Sequence, residues 1–295
     1  MQGRRDWEYG LSGEWSYARC DGCRMLQLDP LAITEDLMAA YGNECEPYRH
    51  SERTGLIFGQ LKRVVDSAWL RRLRRIVSSR DGVLDVECGE GGYAVPLGGN
   101  WSHSVWAGLQ SPCCRASQGV RVPSLCKHVR GIRGSRAIHS VRLGAVKDYL
   151  EHSLDPRGDL ALARQSIVDG GRIIITVPNF DAFDRLLFGR YWGGNHAPRH
   201  TFQFTPDSLA ALLRQSAFEV LSVKSGSSPT PFALSVKNLL QRREVLAGNK
   251  PPLSGGRMRY YTAFLLMFAP IQLLLLPTRR VGFMVLMARA TKVSS

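Results

Sequence analysis

The chain lacks any uninterrupted run of ~20 apolar residues, the length that a membrane-spanning helix requires. Its most apolar segment, residues 260–277, is slightly short, is interrupted by Pro270, and is flanked by Arg257, Arg259, Arg279 and Arg280. A transmembrane helix therefore ranks last for this segment, behind a buried or partly exposed helical cap and behind shallow docking on an anionic membrane surface. Nothing in residues 1–13 resembles a secretory leader, because they are polar and charged. Cysteine is sparse and irregular: seven residues, at 20, 23, 45, 88, 113, 114 and 126, make an odd number with no disulfide framework. A reducing cytoplasm, with a membrane-associated face as an addition, is the expected setting. Cys20 and Cys23 form a C-x-x-C pair that could share a tetrahedral metal, but four ligands are needed and no second pair is visible. The pair reads as a turn or a zinc-ribbon remnant, and no metal is expected. Acidic residues are also scarce, 25 against 39 Lys+Arg, for a net charge of +14 and a pI of about 9.9. That balance suits anionic partners, although a GC-rich genome would give the same arginine bias.

What is present points to a folded α/β chain. Hydrophobic residues make up 44% and charged residues 22%, which argues against disorder. At 295 residues one main domain with embellishments fits. Residues 56–79 carry apolar side chains at helical spacing with arginines between them. No aromatic or base-reading pattern accompanies those arginines, so nucleic acid is not the favoured partner. Strands are expected at 83–86, 104–109, 138–143, 172–177, 218–223 and 282–288, with helices at 160–166 and from Thr205 to about Ser216 and a turn at 169–171. In the last helix Thr205 is placed as N-cap and Pro206 at the first position. Alternating strands and helices predict a doubly wound, mostly parallel, seven-stranded sheet with a helical insertion before the last strand. The expected divisions are an accessory segment at 1–54, a main domain at 55–226 plus 281–295, and a hydrophobic helical insertion or cap at 227–280.

The chemistry begins at Val83-Leu84-Asp85-Val86-Glu87-Cys88-Gly89-Glu90-Gly91-Gly92. An aliphatic strand, an acid and a glycine turn are how a nucleotide-type cofactor is held at a strand end, with the next helix presenting its free N–H groups. Two later blocks join it. One is Tyr149-Leu150-Glu151-His152-Ser153-Leu154-Asp155-Pro156. The other runs from Gly170-Gly171-Arg172 through Val177-Pro178-Asn179-Phe180, then Phe188-Gly189, Trp192, Pro198-Arg199-His200 and Phe204-Thr205-Pro206. In order and spacing these blocks resemble the class I S-adenosylmethionine-dependent methyltransferases, in the broad group acting on small molecules, quinones and sugars.

The resemblance implies a Rossmann-like methyltransferase fold, S-adenosylmethionine as cofactor, and a small-molecule or lipid-linked acceptor. It implies cofactor contacts from Asp85, Glu87, Cys88, Gly89, Gly91, Gln110 and Leu150, and acceptor contacts from Asn179, Trp192, His196 and Arg199. His152 and His200 are the implied catalytic bases, with His196 a third candidate. Two positions depart from the family pattern. Glu87 stands where the family has its first glycine, which would add ~1–3 kcal/mol of strain if that position needs a glycine-only conformation. Gln110 replaces the acid that usually grips the ribose, a loss of about 1 kcal/mol. These departures keep open a catalytically inactive scaffold of the same fold. Gly89-Glu90-Gly91-Gly92-Tyr93-Ala94 also fits G-x-G-x-x-A, so an NAD(P)-dependent oxidoreductase is a lesser alternative, weakened by the missing acid about 20 residues on.

Overall fold

The computed structural model describes residues 3–8, 10–31, 82–86, 105–107, 141–226, 228–249 and 258–292. The expected helix at 56–79 and the glycine loop itself lie outside them. The main sheet has six described strands: β3 (Gly82–Val86), β4 (Val105–Ala107), β5 (Val141–Lys147), β6 (Ile167–Pro178), β8 (Phe218–Ser225) and β9 (Phe283–Ala290). Their order is β4-β3-β5-β6-β9-β8. β3 runs parallel to β4 and β5, and β5 parallel to β6. β9 is antiparallel to both of its neighbours. The last strand thus lies inside the sheet, between β6 and β8.

β6 shows why this sequence makes a central strand. Ile173, Ile175 and Val177 are fully buried, and Ile174 on the opposite face is nearly so. A β-branched run buried on both faces is what a strand between two partners requires. The expected turn at 169–171 does not end the strand. Val141 pairs with Ile167 and Leu143 with Arg172, so residues 168–171 bulge out of register within β6, with Gly170 at φ +77°. β5 lies a few residues later than its expected position, because Val141, Leu143, Ala145 and Val146 are the buried residues.

The helices start where their caps dictate. α1 (Pro156–Ser166) begins earlier than its apolar pattern suggested: the Asp155 carboxylate accepts from the Gly158 N–H, and Pro156 takes the first position. α2 (Phe183–Phe188) follows β6. α3 (Pro206–Gln215) opens on a reciprocal box in which Ser208 N–H donates to Thr205 Oγ1 and Thr205 N–H donates to Ser208 Oγ. The insertion before β9 contains α4 (Thr230–Leu246) and α5 (Met258–Leu275).

Near the N-terminus, β1 (Ser16–Arg19) and β2 (Leu26–Asp29) form an antiparallel hairpin around Cys20 and Cys23. β2 pairs in turn with β7 (Phe202–Gln203), just after Pro198-Arg199-His200. Tyr17, Leu26 and Leu28 pack with Phe180, Ala182, Trp192 and Ala197 in a second apolar cluster. That cluster fixes the chain following β6 at the carboxyl edge of the main sheet.

Candidate active site at the carboxyl edge of the sheet

β3, β5 and β6 end side by side, with Val86 beside Val146 and Lys147 beside Thr176. The crevice beyond the carboxyl ends of parallel strands is where ligands of such sheets bind. β3 reaches this edge at Val86. Of the expected cofactor residues, Glu87, Cys88, Gly89, Gly91 and Gln110 lie outside the described residues, and Asp85 is described through its place on β3. Leu150 is inside, fully buried in a 3-10 turn spanning Leu150–His152 just past β5. That turn sets Glu151 and His152 at the edge.

The three histidines singled out in sequence come together here. Ring centroids are 4.5 Å apart for His152 and His200, 5.0 Å for His196 and His200, and 6.3 Å for His152 and His196. Two elements make this possible. Thr201 Oγ1 lies within hydrogen-bonding distance of the carbonyls of both Glu151 and Ser153, 3.0 and 2.6 Å away, tying the chain beyond β6 to the turn after β5. Tyr17 from β1 donates its hydroxyl to the His200 carbonyl at 2.5 Å. His152 Nδ1 lies 3.0 Å from the Arg199 carbonyl and His200 Nδ1 lies 2.9 Å from the Gly194 carbonyl. A carbonyl only accepts, so in the neutral rings Nδ1 carries the hydrogen and Nε2 carries the lone pair. Burial pushes the His152 pKa down to about 4, and it holds His196 and His200 well below the usual histidine range, with Arg199 acting in the same direction. At neutral pH the cluster is three uncharged imidazoles.

The N-terminal segment supplies charges that no sequence motif flagged. Arg199 and Asp6 form a buried ion pair at 3.0 Å. Glu8 lies 3.5 Å from His196 Nδ1 and 3.8 Å from Lys237 of α4. Trp7 packs on Tyr191, and Gln241 of α4 donates to the Trp7 carbonyl. Their only signal was a cluster of charge and aromatics in residues 4–8.

The remaining expected acceptor residues occupy structural positions. Trp192 is fully buried, and its ring N–H donates to Asp184 at 2.8 Å. Asn179 is fully buried at the end of β6, accepting from the Asp181 N–H and donating to the Arg279 carbonyl. Glu151, His152 and His200 bring one ligand atom each within 4.8 Å of one another, a donor set that could take a divalent ion.

No family model matches the chain, and no curated protein sequence matches it. Solved structures do resemble it at low identity. The [4+2]-cyclase SpnF is 17% identical, with 77% of this chain and 81% of that one covered and a TM-score of 0.45. A SAM-dependent methyltransferase from Archaeoglobus fulgidus is 15% identical over 77% of this chain and 93% of its own, at TM-score 0.47. Geranyl diphosphate methyltransferase in complex with SAM is 12% identical over 76% and 85%, also at 0.47. The sheet itself has parallel strands in the order β4-β3-β5-β6, then one reversed strand inserted before β8, a mostly parallel, Rossmann-like α/β arrangement.

Proposed function

We propose that the protein is an S-adenosylmethionine-dependent methyltransferase acting on a small-molecule or lipid-linked acceptor. The observation that carries this reading is the meeting of His152 and His200 beside the strand end that leads into the glycine loop. The described part of the site supports the cofactor: β3, carrying Asp85 and ending at Val86, lies beside β5, which leads into the Leu150–His152 turn. When bound, the sulfonium supplies an electrophilic methyl group for in-line displacement. The chain's task is alignment and, for a hydroxyl acceptor, removal of one proton. A lone pair at Nε2 of His152 or His200 is suited to receive that proton. Glu151 in the same turn and Glu8 beside His196 provide nearby negative charge that would favour the imidazolium once formed.

The test is release of S-adenosylhomocysteine on incubation with small-molecule and lipid fractions. His152→Asn and His200→Asn are expected to slow turnover at least a hundredfold while leaving cofactor affinity unchanged. Equal turnover in both variants would remove the histidines from the chemistry. The inactive-scaffold alternative is separated by Glu87→Gly with Gln110→Asp: a scaffold gains cofactor binding that it lacked, whereas an enzyme binds before the change.

A further inference from the structure

The outer part of α5 has the polarity of a surface helix reversed. Gln272 is the only polar residue in 266–276, and it points inward, nearly fully buried, donating to the Gly226 carbonyl at 3.0 Å. The residues facing out are Leu266, Met267, Pro270, Ile271, Leu273 and Leu274, with Leu274 80% exposed and Leu273 61%. At 3.6 residues per turn they form a stripe roughly 160° wide, opposite Gln272.

α2 extends this surface. Phe183, Leu186 and Leu187 are 52%, 54% and 68% exposed, while Asp184 on its other side is buried against Trp192. The two helices are joined at their ends: Phe183 N–H donates to the Arg280 carbonyl, and Arg280 Nε donates to the Asp181 carbonyl. Beneath them Phe188, Phe232 and Phe268 form a chain of ring contacts at 5.1 and 4.6 Å. Among the described residues flanking these helices the exposed charges are all positive, Arg190, Arg279 and Arg280, and residues 258–280 contain no Asp or Glu. Among the described residues no helix is long and apolar enough to cross a membrane.

We propose that α2 and α5 form one docking face for an anionic phospholipid surface, with the leucines entering the acyl boundary and the arginines meeting the headgroups. Exposed apolar stripes of this width on a monomer mark an interaction surface. Helices with an apolar face and cationic edges lie in the plane of a bilayer. A second copy of the chain fits less well, because an isologous contact on this face would bring the same arginines against each other. The inference is independent of the methyl-transfer chemistry.

Co-sedimentation of the full chain with vesicles tests it, comparing phosphatidylcholine alone with an equal mixture of phosphatidylcholine and phosphatidylglycerol. Binding to the anionic vesicles is expected. Leu273→Gln with Leu274→Gln should weaken it at least about a hundredfold, tenfold for each leucine. Arg279→Gln with Arg280→Gln should weaken it roughly fivefold per charge. Leu187→Gln on α2 is a separate check, and unchanged melting temperatures establish that the variants are folded. Absence of binding by the unaltered protein would overturn the proposal. So would leucine variants that bind as well as the parent, which would reduce the effect to general positive charge. A concentration-dependent dimer, broken by the same leucine changes and indifferent to vesicles, would assign the face to self-association instead.

Discussion

Acidification should destabilise this protein in a window set by the histidine cluster. His152 has its pKa pushed down to about 4 by burial, against ~6.5 in the unfolded chain. A depressed pKa means that the folded ring stays neutral while the unfolded ring takes a proton. Its stabilising effect is therefore complete above about pH 6.5 and is lost as pH falls from there towards 4. Between pH 7.5 and pH 5 the loss from His152 alone is about 2 kcal/mol, a fall in melting temperature of about 4–8 °C. His196 and His200 shift in the same direction and add to it. The charged groups facing the cluster are Arg199, Lys237, Glu8 and Glu151. Asp159 and Asp184 act oppositely: burial raises their pKa values, so their contribution is complete at low pH and declines as pH rises through the folded values. The decisive quantity is the difference between parent and His152→Asn, followed by calorimetry from pH 7.5 to 5 at constant ionic strength. Asparagine can keep the bond to the Arg199 carbonyl without titrating. The variant should lose the His152 share of the pH slope. Equal slopes in both proteins would refute a buried neutral His152.

Three further outcomes follow from the packing around this site. Asp6→Asn removes the carboxylate charge that lies 3.0 Å from the buried Arg199 guanidinium, and should cost about 1–3 kcal/mol in urea unfolding while opening residues 3–8 to trypsin. Trp192→Phe removes the ring N–H that donates to the buried Asp184 carboxylate and should cost about 1–3 kcal/mol, the loss being smaller at acid pH where Asp184 is protonated. In Gly193→Ala the new Cβ would lie 2.4 Å from Leu234 Cβ and 2.6 Å from the Pro231 carbonyl. Displacement of α4 from the loop should lower stability by about 1–3 kcal/mol, and an unchanged melting temperature would contradict that contact.

The parts of the fold that were legible in sequence are those whose burial follows a simple period. Residues 172–177 read as a strand because both faces are buried, and residues 205–215 as a helix because Thr205, Pro206 and Ser208 encode its start. α4 falls within the helical insertion expected at 227–280, but its own apolar pattern is illegible for the opposite reason. Its buried side includes Ser235, Lys237, Asn238 and Gln241, since it packs on the polar N-terminal segment and the histidine loop. A search for an apolar stripe finds nothing there. β7 is only two residues long and exists as a partner for β2. The three histidines were visible as chemistry-bearing residues, but their proximity depends on Thr201 and Tyr17, which reach them across long stretches of chain. Asp6 and Glu8 stand out only as part of the charged and aromatic cluster at 4–8, which does not show their pairing, because their partners Arg199 and Lys237 are remote in sequence.

Isothermal titration of the purified chain with S-adenosylmethionine and S-adenosylhomocysteine tests the functional reading most directly, since it requires no knowledge of the acceptor. Micromolar binding of either ligand is the expected result and would establish a working cofactor site despite Glu87 and Gln110. No heat up to millimolar ligand, together with a melting temperature unchanged by ligand, would contradict the enzyme reading.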